Sequence, residues 1–154
     1  MAYLAAAMMR HEVWAYFFCK DQSRILPWLA EELGQLTLET LDQECAFAAY
    51  RSPSDATVLI KDWGSSDQLE VTVSMEAFVV GRHQDLPWPS SPIFARAAAK
   101  ALGVDLLCDP GDTYPEVHPL SDVFLRVTPE GEALVQLEEA EDGTPSYVPA
   151  AMQR

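Results

Sequence analysis

The stretch Trp14-Ala15-Tyr16-Phe17-Phe18-Cys19-Lys20-Asp21-Gln22 lines up, at an offset of 62, with Glu76-Ala77-Phe78-Val79-Val80-Gly81-Arg82-His83-Gln84. The first is dense in aromatics, the second carries Phe78 with the β-branched Val79 and Val80, and both run into polar turn residues, the pattern of a strand and its exit. The chain continues alike after each. After the first, Ile25, Leu26, Trp28, Leu29 and Leu33 recur at the spacing of one helical face, with Pro27 in the first turn, where its missing N–H costs little. After the second comes an Ala-rich helix over about 92–102. Leu33-Gly34 closes one helix and Leu102-Gly103 the other, since glycine readily takes the left-handed conformation that stops a helix. The Leu-Gly pairs are 69 apart, and the seven extra residues fall in Leu86-Pro87-Trp88-Pro89-Ser90-Ser91-Pro92, a stiff loop.

Strand patterns succeed the first helix at about 35–39, 45–51, 56–62 and 69–80, and the second at about 104–108, 121–128 and 133–139. Pro129-Glu130-Gly131 reads as a hairpin turn, with Gly131 free to take positive φ. The expected fold class is α+β: a mixed or antiparallel sheet that buries two helices on one face, written as two pseudo-repeated β-α-β-β(-β) modules at 11–62 and 69–139. Residues 9–142 then form one domain, between a flexible extension at 1–8 and a poorly ordered tail at 143–154.

The bulk numbers fit this reading. A chain of 154 residues can bury a full core without staples. With 49% hydrophobic and 22% charged residues it has the composition of a folded domain. A net charge of −14 opposes binding to nucleic acid and to anionic membranes, and attracts cationic partners. Cys19, Cys45 and Cys108 are odd in number and show no C-x-x-C spacing, which implies a reducing compartment. No base precedes Arg10, and the apolar run Val13 to Cys19 is too short to span a bilayer. A protein of the bacterial cytoplasm is expected.

The charge is unevenly spread. Residues 105–142 hold eleven acids (Asp105, Asp109, Asp112, Glu116, Asp122, Glu130, Glu132, Glu138, Glu139, Glu141 and Asp142) against one base, Arg126. They fall in loops and strand ends, so they should share a rim able to dock on a basic surface. The candidate partner-binding residues are Asp109, Asp112, Tyr114, Glu116, Glu138, Glu139, Glu141 and Asp142, with Trp88 as an aromatic anchor beside them. Trp63 before Gly64 is a further contact aromatic.

Motifs for chemistry are missing. There is no G-x-S-x-G, and the glycines are isolated, so no phosphate-cradling loop is written. Asp109-Pro110-Gly111-Asp112, with Glu116 and His118, crowds carboxylates and an imidazole, yet lacks the alternating pattern that positions oxygens around Ca²⁺ and reads as an acidic turn. His11, His83 and His118 show no ligand spacing. No catalytic residue, cofactor or metal is assigned. Carboxylates around Cys108 should raise its pKa, the wrong direction for a nucleophile.

The paired modules, the Leu-Gly after each helix and the late Pro129-Glu130-Gly131 hairpin resemble the vicinal oxygen chelate superfamily over about residues 11–139. That resemblance implies a metal-dependent enzyme or a small-molecule-binding protein. It would place His11 as a first-strand ligand, with Val73 at the equivalent second-module position and Gln136 where the late strand would offer a carboxylate. The leading expectation is different: a non-enzymatic acidic binding protein, of the immunity or inhibitor type, that neutralises a basic protein such as a bacterial toxin. The metal-dependent reading is the alternative.

Overall fold

The computed structural model describes residues 10–19, 22–62, 75–111, 114, 117, 122–139, 141 and 145–149. Among them the elements run β1 (Arg10–Phe18), α1 (Ile25–Leu33), β2 (Thr37–Asp42), β3 (Phe47–Arg51), β4 (Thr57–Asp62), β5 (Met75–Arg82), α2 (Ser91–Leu102), β6 (Asp105–Cys108), β7 (Val123–Thr128), β8 (Gly131–Glu139) and β9 (Pro145–Pro149). Short 3₁₀ turns at Gln22–Arg24 and His83–Asp85 lead out of β1 and β5. The expected α+β class holds. Nine strands form one sheet in the order β2-β3-β4-β5-β1-β6-β7-β8-β9, with antiparallel neighbours throughout.

Alternation along the strands sorts their side chains onto two faces. Val13, Ala15 and Phe17 of β1 face the helices together with Met75, Ala77 and Val79 of β5, Val58 and Ile60 of β4, Leu106 and Cys108 of β6, and Leu125 and Val127 of β7, all of them buried. Onto this face α1 presses Ile25, Trp28, Leu29 and Leu33, and α2 presses Phe94, Ala95, Ala98, Ala99 and Leu102. The alanines let α2 lie close to the sheet, since a methyl group holds the backbones less far apart than a branched side chain. Between the helices, Phe94 packs its ring 4.7 Å from Trp88, 5.9 Å from Trp28 and 6.2 Å from Phe17, centroid to centroid. Arg24 ties the pair further: its Nη1 donates to the Leu102 carbonyl at the end of α2 over 3.1 Å. That carbonyl has no partner within its own helix, so a cation there is doubly favourable.

The order of elements repeats, as the sequence pattern predicts, and the register locates the centre of the repeat. β1 and β5 are antiparallel neighbours with Ala15 opposite Ala77, two residues that are themselves 62 apart. A local two-fold axis relating the lead strands therefore passes between these alanines. The three strands after each helix are placed differently. β2 crosses to the far edge of the sheet and the chain returns through β3 and β4, whereas β6 pairs directly with β1.

Four expectations change in detail. Gly34 ends α1 at φ 93, ψ 172, which is not the left-handed helical geometry that Gly103 adopts at φ 67, ψ 35. Gly131 is outside the positive-φ set. Pro129 fixes φ near −65° and so excludes the primed turns, and the hairpin is held instead by Thr128, whose Oγ1 accepts from the N–H of Glu130 and of Gly131 at 3.3 and 3.2 Å. Residues 145–149, expected to trail off, form the outermost strand on β8. The strand expected at 69–80 is described from Met75 and extends to Arg82, while 69–74 and the extension at 1–8 lie outside the described residues.

Candidate functional site

The register of β6 to β9 decides where the acids fall. β6 ends at Cys108 opposite Leu125, β7 begins with Val123 opposite Gln136, and Glu139 of β8 pairs with Pro145 of β9. Asp109, Asp122, Glu138, Glu139 and Glu141 therefore lie at one end of these four strands. The side chains of Asp109, Asp122, Glu138 and Glu141 belong to exposed residues. Asp105, Glu130 and Glu132 sit at the opposite end, near the β7–β8 hairpin. Asp112, Glu116 and Asp142, named with the site from the sequence, lie outside the described residues, as does Trp63. The rim anticipated along 105–142 is thus split between two ends.

The two ends differ in electrostatics. Near the hairpin two of the three acids, Asp105 and Glu132, are neutralised by arginines, while Glu130 is exposed. Arg126 donates to Asp105 over 2.9 Å, and its guanidinium lies 5.6 Å from the centre of the Phe18 ring. Arg96 of α2 grips Glu132 with two bonds of 2.7 and 2.8 Å, and the Tyr114 hydroxyl donates to the same carboxylate at 3.0 Å. The hydrogen bond from Arg96 holds the Glu132 carboxyl below the usual carboxylate range, assisted by Tyr114 and opposed by partial burial. Arg96 is raised in return, chiefly by that same bond. Tyr114 is therefore a brace onto β8, half-buried against the core, rather than an open contact aromatic. At the acidic end no ion pair is found among the described residues.

Trp88 leaves the site altogether. It is 2% exposed and stacks within the Trp28–Phe94 cluster. Its loop does a structural task that arises from the shortness of β6. That strand pairs only with residues 16–18 of β1, so the first half of β1 lacks a neighbour there. Ser91 fills the place by accepting from the Trp14 N–H at 3.0 Å, and His11 Nε2 donates to the Trp88 carbonyl at 3.2 Å. The stiff prolines around Trp88 keep this plug in position.

The groups considered for chemistry do not converge. Burial, then Asp109, then Glu132 push the Cys108 thiol up to about 12, so it is neutral at physiological pH. Asp109 Oδ1 accepts from the Gly111 N–H at 2.8 Å with Gly111 at φ 61, a local turn; Glu116 and His118 lie outside the described residues. His11 and His83, far apart in sequence, meet edge to face with ring centroids 5.3 Å apart. Sequence spacing missed this pair because the contact is made across the β1–β5 ladder, where Arg10 faces Arg82. Among the described residues no three His, Cys, Asp or Glu side chains gather to hold a metal. Gln136, which the vicinal oxygen chelate resemblance would bring toward His11, stands on β8, three strands from β1. At ~4.8 Å per strand that is about 14 Å across the sheet.

A cleft of about 390 Å³ lies between α2 and the hairpin, lined by Arg96, Lys100, Thr128, Pro129, Glu130 and Glu132 among others. No helix among the described residues is long and apolar enough to cross a membrane. Comparison of the chain with known protein families, with curated proteins and with solved structures found no match.

Proposed function

We propose that this chain is a non-enzymatic acidic binding protein that docks a basic protein through the end of the β6–β9 half-sheet, in the manner of an immunity or inhibitor protein that neutralises a toxin. The observation that carries the reading is the asymmetry of pairing. Asp105 and Glu132 are neutralised by Arg126 and Arg96, whereas Asp109, Asp122, Glu138 and Glu141 expose their charge at one end of the strands, where Glu139 also stands. The strands fix where these carboxylates stand, and their summed field speeds encounter with a cationic surface. The partner residues are thus Asp109, Glu138, Glu139 and Glu141 with Asp122 added, together with Asp112, Glu116 and Asp142, which lie outside the described residues; Trp88 contributes through the core alone, and Tyr114 through Glu132.

The test is calorimetric titration, at two salt concentrations, with the product of the adjacent reading frame, which this reading requires to be a basic protein. Binding is expected to weaken as salt rises, and reversal of Glu138, Glu139, Glu141 and Asp142 to lysine is expected to weaken it by about a hundredfold or more. Affinity unchanged by the fourfold reversal would remove the acidic end from the interface.

A further inference from the structure

We propose that the β2 edge of the sheet is the interface of a symmetric dimer, in which β2 pairs antiparallel with β2 of a second copy. The two edges of the sheet are unlike. β9 carries Pro145 and Pro149, which offer no N–H to a further strand. β2, Thr37-Leu38-Glu39-Thr40-Leu41-Asp42, has no proline and no lysine, and all six of its residues are exposed. Leu38 is 50% and Leu41 57% exposed, the two largest exposures among large hydrophobic side chains in the described residues.

Leucines three apart in a regular strand would point to opposite faces. Here a register shift between Leu38 and Thr40 reverses that. Leu38 pairs with Tyr50 and Leu41 with Ala48, and both of those lie on the helix face through Val58 and Ile60. Thr37, Thr40 and Asp42 pair with Arg51, Ala49 and Phe47 on the other face, and Glu39 reaches Arg51 there. The face pattern of the strand therefore reads the same in both directions about the midpoint between Glu39 and Thr40.

A strand of that symmetry can pair with itself while every residue keeps its face. In that register Leu38 meets Leu41 of the partner, Glu39 meets Thr40, and Thr37 meets Asp42. The four leucines form one apolar seam on the helix face, and no acid stands opposite an acid, an arrangement that favours cross-strand pairing. Shifting the register by one residue would set Glu39 against itself or Leu38 against Asp42. The two-fold axis runs perpendicular to the sheet, so the interface is isologous and closed. The acidic ends lie on the opposite wings and stay open, so dimerisation does not depend on the proposed function.

Sedimentation of the full chain over a concentration range, at low and moderate salt, tests this. A monomer–dimer equilibrium is expected, tightening as salt screens the repulsion between two chains of charge −14. That trend is opposite to the salt response of docking to a basic protein. Leu38→Lys and Leu41→Lys together replace side chains that touch little within one copy, and should weaken the dimer by at least about tenfold while leaving the thermal midpoint of the monomer in place. Amide exchange at residues 37–42 should slow with increasing protein concentration in the wild type. A wild type that stays monomeric into the millimolar range, or a dimer that the two lysines leave intact, overturns the proposal.

Discussion

The two helix–glycine–strand units of this protein begin from the same pattern of strand, helix and Leu-Gly and end in different places. Leu33-Gly34 and Leu102-Gly103 both stop a helix by an N–H bonded four residues back, Gly34 to the Ala30 carbonyl and Gly103 to the Ala99 carbonyl, each at 2.9 Å. Past that bond they diverge. Gly103 is left-handed with nothing near the place of a side chain, and the chain turns straight into β6 beside β1. Gly34 holds φ 93, ψ 172, a conformation reserved almost wholly for glycine, and a β-carbon there would stand 3.0 Å from the Pro53 ring. That geometry sends the chain outward to β2 at the edge. A shared local signal stops both helices; tertiary contacts set the exit direction.

The largest expected effect lies where the two units meet. Phe94→Ala removes the ring packed among Phe17, Trp28 and Trp88, and should cost about 3–5 kcal/mol, read as a lower denaturant midpoint with the slope retained. A loss under about 1 kcal/mol would mean that the helices do not share a core. Next come the glycines themselves. Gly34→Ala should destabilise by about 2–3 kcal/mol, from the forbidden φ and ψ together with the clash at Pro53, and Gly103→Ala by about 1 kcal/mol, from its left-handed backbone alone. Equal costs at the two positions would erase the contrast.

The smallest effect concerns the brace that fastens α2 to the hairpin, for which α1 has no counterpart among the described ion pairs. Glu132 ionises more readily in the folded chain than in the unfolded one. Its contribution is therefore complete above the unfolded carboxylate value and disappears as pH falls through the lower folded value. Arg96 is 40% exposed, so solvent limits the gain, and Glu132→Gln should cost under about 1 kcal/mol at neutral pH. The difference between variant and wild type should shrink below about pH 4. Chemical denaturation at neutral pH and again below that point measures it; a gap that persists undiminished in acid would assign the effect to packing rather than charge.

Much of the fold was legible because local periodicity is a local property. The alternation at Val13, Ala15 and Phe17 and the helical spacing of Ile25, Trp28, Leu29 and Leu33 each state which side must be buried. The candidate site was legible only in part. Sequence proximity of acids between 105 and 142 could not reveal that Arg96, on another element, neutralises Glu132, nor that Trp88 in an apparently exposed proline loop is part of the core. Tyr114 looked like a contact residue between acids, and its hydroxyl is spent on Glu132, 18 residues further on. The His11–His83 contact spans a strand pair, which no spacing rule along one chain can express.

By itself the sequence determined the helices, most of the strands, the face each one buries and the surplus of negative charge, since these arise from side-chain chemistry and the repeat distances of helix and strand. Tertiary structure alone decided the order of strands, the split of the acids between an end where arginines hold Asp105 and Glu132 and an end without ion pairs among the described residues, and the bulge that turns Leu38 and Leu41 to the same side of an uncovered edge. Pairing between distant strands is chosen by the total burial it allows, a quantity that belongs to the whole chain and to no segment of it.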